Sequence, residues 1–171
     1  MPPDSEIFAL AQQVGERLRT LRKSIAVAES CTGGLLGAAL TDVPGSSAYF
    51  LGGVISYADQ VKRDQLGVSE APLRRYGAVS EQTAAAMASG VRQLLHADIG
   101  VSITGVAGPE AEGSKPVGLT FIGIATATLP SPRAGGESVS THRFQWTGDR
   151  WDNRRRSVIA ALGLLVRAPE L

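Results

Sequence analysis

The sequence predicts an α/β fold, a mixed sheet with helices on both faces. Two observations predict it. Strand-like and helix-like segments alternate through about residue 104, the pattern that builds parallel strand pairs by way of helical crossovers. Two strand-like segments then follow one another between residues 117 and 146, joined only by a polar turn, which calls for an antiparallel pair.

The elements follow in order. Residues 4–22 read as a helix, because Ile7, Ala11, Val14, Leu18 and Leu21 draw one apolar stripe, with Asp4 and Ser5 as caps. Residues 24–28 are a short buried strand, and residues 35–41 a small-residue helix broken by Pro44 to Ser47. Phe50 to Tyr57 reads as a second strand, weakened by Gly52 and Gly53. Residues 59–66 form a helical turn or two ended by Gly67, and residues 70–75 another short helix. Ser80 to Ala97 is the strongest helix, capped by Ser80 and carrying Ala84, Met87, Ala88, Val91, Leu94 and Leu95 on one face. Ile99 to Thr104 is a strand, and a glycine- and proline-rich loop runs from Gly105 to Pro116, long enough to suggest function. Val117 to Ala127 and Glu137 to Trp146 are the antiparallel strands, with a polar turn over 129–136. Asp149 opens a last helix reaching about Val166.

Composition narrows the classes. The 171 residues make roughly one domain, and a chain of this size buries about 70% of its unfolded surface. One cysteine, Cys31, excludes a disulfide scaffold and a multi-thiolate zinc site. With 17 basic against 16 acidic residues, the net charge of +1 favours neither nucleic acid nor an anionic membrane. No apolar run reaches the roughly 18 residues of a membrane span, and the N-terminus lacks a signal peptide, so a cytoplasmic location is expected. Twenty glycines and only 5% aromatics imply an aliphatic core and turn-rich loops.

Some chemistry is not offered. His96 and His142 have no catalytic neighbour in sequence, and no metal-ligand spacing occurs, so neither a metal nor a cofactor is expected. Gly108 to Lys115 superficially resembles a phosphate-binding loop. Its Ser114 precedes Lys115, and Pro116 leads into a strand rather than a helix, so an NTPase is rejected.

Four segments do offer chemistry. Glu29-Ser30-Cys31-Thr32-Gly33-Gly34 joins a strand to a helix. It is either an ordinary capped turn or a place where free N–H groups attract an anion, and Cys31 is a thiolate candidate there. Gly45-Ser46-Ser47 stands ten residues before Tyr57, with Lys62 five beyond. A serine nucleophile needs a base, and lysine at its ordinary pKa of about 10.4 is neutral roughly one time in a thousand at neutral pH. Its surroundings must supply about 4 kcal/mol, or the three are plain surface residues. The Gly105 to Pro109 segment, running on to Gly118, is either a pocket wall or a solvated loop. Arg150, Arg154, Arg155 and Arg156 crowd a helix start, where cations oppose the dipole by about 0.3–1 kcal/mol each. Either carboxylates pair with them or an anion binds there.

Taken together, these segments resemble one family. Glu29 to Gly34, Pro44 to Ser47, Gly53 to Tyr57 with Lys62, Gly77-Ala78-Val79-Ser80-Glu81, Gly105 to Pro109, Lys115 to Gly118 and Gly148-Asp149-Arg150 fall in the order of the CinA C-terminal domain, a family that includes stand-alone nicotinamide mononucleotide deamidases (PncC-like). The resemblance covers roughly residues 6–167.

It implies a three-layer α/β/α sandwich with a mixed, mostly parallel sheet, and one amidohydrolase domain over residues 1–171. It implies hydrolysis of nicotinamide mononucleotide to nicotinate mononucleotide and ammonia. It implies a Ser/Lys/Tyr site matched by Ser47, Lys62 and Tyr57, Ser46 being an adjacent alternative nucleophile. Substrate would be bound by Ser30, Thr32, Gly33, Gly34, Ser46, Gly105, Ala107, Gly108, Lys115, Arg150 and Arg154. The oxyanion donors are expected in the 32–34 or 45–47 turns.

No nucleic acid, membrane, metal or cofactor is expected, and a homodimer or larger assembly is, drawing on the first helix and the 117–146 hairpin. A preceding molybdopterin-binding-like domain, and its pyrophosphatase activity, are not expected. The sequence departs from the family where two glycines usually follow Gly-Pro-x, since Ala111 and Glu112 stand there. The competing readings are a nucleotide-binding module without turnover and a competence- or damage-linked interaction protein.

Overall fold

The computed structural model describes residues 4–128 and 136–169. The turn expected over 129–136 lies outside these residues except for Gly136. Helix α1 (Ser5–Leu21) starts on the Asp4 carboxylate, which accepts from the N–H groups of Glu6 and Ile7. Strand β1 (Ile25–Glu29) and helix α2 (Leu35–Thr41) follow, then a single 3-10 turn at Ser46–Ala48 and strand β2 (Phe50–Ile55). Helix α3 (Asp59–Leu66) stops where Gly67 takes a left-handed conformation, and helix α4 (Glu70–Tyr76) comes next. Helix α5 (Glu81–Leu94) is capped by Ser80 Oγ, which accepts from Thr83 N–H. Strands β3 (Ile99–Gly105), β4 (Leu119–Ala127) and β5 (Glu137–Gln145) precede helix α6 (Arg150–Arg167), capped by the Asp149 carboxylate.

Among the boundaries that differ from the sequence reading, three have a clear local reason. Strand β2 ends at Ile55 rather than Tyr57, because the chain turns away after Ser56 N–H donates to Glu29 O. Strand β4 starts at Leu119 rather than Val117, after Gly118 bends at positive φ. Helix α5 stops at Leu94, and His96 turns left-handed before Ala97.

The five-stranded sheet has the order β2-β1-β3-β4-β5. Strand β1 runs parallel to β2 and β3, while β4 is antiparallel to both β3 and β5. Four strands therefore point one way and β4 alone the other, the mixed α/β sheet that was expected. Side-chain alternation along β1 divides the core. Ile25 and Val27 pack beneath α1, α2 and α6 with Leu18, Leu36 and Leu162. Ala26 and Ala28 face α3, α4 and α5 with Leu66, Leu73 and Met87.

Helix α5 approaches the sheet closely because two strand glycines leave room. A Cβ on Gly100 would lie 2.1 Å from Ala88 O, and one on Gly123 would lie 2.5 Å from Ala84 O. On the opposite face, Ile7, Ala11, Val14 and Leu18 of α1 are all buried within the chain. That stripe, expected to be available to a partner, is covered by the chain's own core. Among the described residues no helix is long and apolar enough to cross a membrane.

Strands β1, β2 and β3 end at one rim of the sheet. In open α/β sheets, ligands bind in the crevice beyond such carboxyl ends.

Candidate active site

A cavity of about 410 Å³ opens at that rim, within the size range of small-molecule sites. Ser30 and Cys31 enter it directly after β1, Tyr57 to Asp59 after β2, and Gly105 to Gly108 after β3. Arg150 reaches in from the start of α6. The Gly108–Pro109 peptide within this wall is cis.

Lys62 is the unusual residue. It stands four positions before Leu66 on α3, so it shares the face that the helix buries. Its side chain is only 1% exposed. Its Nζ donates to Tyr57 O at 3.0 Å and to Ser30 Oγ at 3.5 Å, with the Asp59 carboxylate 3.6 Å away. Burial holds the ammonium below the ordinary lysine value, and the negative charges of Asp59 and Glu112 oppose this without cancelling it. A lysine so placed is available as a neutral amine at lower pH than an ordinary one.

Ser30 is held by what precedes it. Glu29 is 1% exposed, and its carboxylate accepts from the backbone N–H groups of Gly34 (3.1 Å), Leu36 (3.1 Å) and Gly37 (2.8 Å). A charge at the start of α2 satisfies groups the helix cannot satisfy itself. From the other side, Arg154 donates to Cys31 O at 3.1 Å and to Thr32 O at 2.9 Å. The turn that carries Ser30 is thus fixed at both flanks.

Several sequence assignments change as a result. The N–H groups at the start of α2 do not await an anion, because Glu29 occupies them. Gly33 N–H donates to Ser30 O and Gly34 N–H to Glu29, so the 32–34 turn has neither of these donors free for an oxyanion. Thr32 is wholly buried, and its Oγ1 has no hydrogen-bond partner among the described residues. Burial pushes the Cys31 thiol up to about 12, so it is no thiolate nucleophile.

Ser47 does not join Tyr57 and Lys62. It lies with Ser46 on the 3-10 turn before β2, whereas Tyr57 and Lys62 follow β2. The six residues of β2 carry the chain about 20 Å across the sheet. Ser46, Ser47 and the 45–47 turn therefore sit at the opposite rim. Lys115 is also displaced, lining a separate hollow with Arg75 and Arg143. The tight backbone turn between Glu112 and Lys115 points the two residues different ways.

The arginine question resolves by position. Arg155 pairs with Asp4 and Glu6, and Arg156 with Asp152. Arg154 holds the Ser30 turn. Arg150 donates to Gly108 O and, at 3.2 Å, to Tyr57 Oη, and lines the cavity without a carboxylate partner among the described residues. The Tyr57 hydroxyl thus faces Arg150, and only its backbone carbonyl meets Lys62.

The cavity brings together Ser30, Tyr57, Lys62, Gly105, Ala107, Gly108 and Arg150 from the expected set. It adds Asp59, Glu110 and Glu112. The signal that could have found Ser30 was its place just beyond the carboxyl end of a buried strand. Among the described residues no three His, Cys, Asp or Glu side chains are grouped to hold a metal ion.

Comparison with known proteins gives the ancestry. The family model of the CinA C-terminal domain matches residues 7–168. The chain belongs to the CinA C-terminal domain family. A protein of Halothermothrix orenii named for competence-damage induction is 49% identical over 160 residues, covering 93% of this chain and 37% of that protein. A CinA-like protein of Nostoc sp. is 45% identical over 170 residues, covering 93% of this chain and 38% of that protein. The chain thus spans little more than a third of the length of these curated relatives. The crystal structure of the competence/damage inducible protein CihA from Agrobacterium tumefaciens superposes with a TM-score of 0.88 at 36% identity, covering 97% of this chain and 98% of that one. Other CinA-superfamily structures share the same fold, one from Escherichia coli with a TM-score of 0.84 at 32% identity over 97% of this chain and 92% of that one.

Proposed function

We propose that this CinA-family chain hydrolyses the carboxamide of nicotinamide mononucleotide, giving nicotinate mononucleotide and ammonia, with Ser30 as nucleophile and Lys62 as base. The observation that carries the reading is the buried Lys62 amine 3.5 Å from Ser30 Oγ, at a cavity of about 410 Å³. The substrate comes from the family resemblance, and the cavity volume lies in the range of small-molecule sites. Ser30 replaces Ser47 in this assignment because only Ser30 reaches the lysine.

The chemistry balances with these two groups and water. Neutral Lys62 takes the Ser30 proton as Oγ attacks the carboxamide carbon, forming a tetrahedral oxyanion. Collapse breaks the C–N bond, and the Lys62 ammonium returns the proton to the departing nitrogen as ammonia. Water, deprotonated by Lys62 in turn, then attacks the acyl ester, and Ser30 leaves with its proton restored. Arg150 supplies the fixed positive charge for the substrate phosphate. Tyr57 acts as a positioning residue, through its carbonyl on Lys62 and its hydroxyl on Arg150.

The test is ammonia release from nicotinamide mononucleotide by the purified chain, with Ser30→Ala in parallel. Release that disappears with Ser30 supports the reading. A folded chain that releases none, or an undiminished Ser30→Ala variant, overturns it.

A further inference from the structure

The charged groups that face the cavity do not match a purely anionic ligand. Asp59, Glu110 and Glu112 line it beside Lys62 and Arg150. Once Lys62 is neutral, as its role as base requires, three carboxylates face one cation. A phosphomonoester alone would be repelled there. A zwitterion fits, with its anion toward Arg150 and a cationic portion toward the carboxylates.

Glu112 reaches the cavity from a closed backbone turn. Its N–H donates to Lys115 O at 3.0 Å, and its carbonyl accepts from Lys115 N–H at 2.9 Å. Gly113 supplies the left-handed residue that this turn needs. No ion pair to another described residue takes up the Glu110 or Glu112 carboxylate. The charge of Glu112 is felt at Lys62, so it acts across the same space in which the reacting carboxamide would lie.

We infer that Glu112, assisted by Glu110, is a specificity residue that makes the cavity prefer a positively charged heterocycle, an N-alkylated pyridinium, over the same ring in neutral form. The inference rests on the proposed amidohydrolase reading and adds a discriminating group to it. The cation lies beside the carboxamide in such a ring, so the carboxylates hold the electrophile at the Ser30–Lys62 side. The phosphate is left to the Arg150 side.

Two probes separate ring charge from everything else: nicotinamide mononucleotide and its 1,4-dihydro form, which share carboxamide, ribose and phosphate. Their dissociation constants are measured on the Ser30→Ala chain, with and without Glu112→Gln. Because Glu112 is exposed, its contribution is that of a screened pair, and Glu112→Gln should weaken the cationic form by about three- to fivefold. The neutral form should be unchanged or slightly tightened. Glu112→Lys should reverse the preference, and raised salt should erode it only while Glu112 is present. Equal effects on both forms, or none on either, overturn the inference and leave the amidohydrolase reading standing. Binding of neither form by a folded chain, with no ammonia from the unsubstituted protein, removes both.

Discussion

Ser30 Oγ and Lys62 Nζ meet at 3.5 Å although 32 residues separate them in the chain. The meeting is a property of the parallel pair β1–β2, whose register sets Glu29 against Ile55 and so releases both chains at one rim. Burial of the amine then follows from the α3 face that also buries Leu66. In the proposed reaction neither residue would act alone. The serine lacks a base without Lys62, and the lysine would be an ordinary cation without its dry surroundings.

Replacing the two serines separately tests which rim reacts. Ser30→Ala should lower kcat for ammonia release by about 10³-fold or more. Ser47→Ala, at the far rim and exposed, should stay within about twofold of the unsubstituted chain. A steady-state ammonia assay on both variants is sufficient, and a large loss in Ser47→Ala alone would return the nucleophile to that turn.

The lowered Lys62 value has two pH signatures. Activity should rise with pH along a limb whose midpoint lies below the ordinary lysine value of about 10.4. Removing the opposing charge with Asp59→Asn should move that midpoint lower still, and Glu112→Gln should move it in the same direction. Stability carries the second signature. Between the lowered folded value and about 10.4, the unfolded chain holds more protons, so stability rises with pH through that window. The cost is fully present below it. Lys62→Met should abolish activity, flatten this rise in urea titrations, and leave stability at neutral pH equal or higher by about 1 kcal/mol.

Glu29 is expected to be needed for both fold and rate. Glu29→Gln keeps the shape, but removes the charge and turns part of the acceptor into a donor facing three N–H groups. A loss of about 1–3 kcal/mol in denaturant unfolding is expected. The fall in kcat should exceed any change in KM, because the Ser30 turn loses one of its two anchors. Loss of stability with unchanged kcat in the remaining folded protein would confine Glu29 to a structural role.

The close seat of α5 on the sheet yields a packing prediction. Gly100→Ala places a methyl group 2.1 Å from Ala88 O, which only displacement of the helix relieves. Overpacking of this kind costs about 1–3 kcal/mol or more. The thermal midpoint should fall, while the equally small change Gly67→Ala meets no neighbour within 4 Å and suffers only from its positive φ.

Much of the fold was legible because local signals agreed. Asp4, Ser80 and Asp149 each cap the helix they were expected to cap, and Gly67 ends α3. The strands were found by composition, and the late hairpin by alternation.

The residues of the candidate site were legible in the sequence, and their grouping in space was not. Spacing places Ser47, Tyr57 and Lys62 within sixteen positions, but an extended segment between them separates rather than gathers. Tyr57 and Lys62 stay together because both follow the same strand end. Ser30 reads locally only as a substrate-binding residue, since nothing near it in sequence names a base, and its partner Lys62 comes from the connection after the neighbouring strand. The role of Glu29 was hidden for a similar reason. A carboxylate at a strand end reveals its partners only when the next helix folds back over it.

Strand β1 has a neighbour on each side and all five of its residues buried, whereas residues 110–114 are an exposed turn held to the rest by few hydrogen bonds. In hydrogen-exchange terms, the amides leading into Ser30 belong with those that open only on global unfolding, and those of the wall with the ones that open locally. The strand end that carries Ser30 and the wall that carries Glu112 therefore answer to different stabilities. On the proposed reading, insertion or substitution in the wall would change what is admitted, at little cost to Ser30 and Lys62.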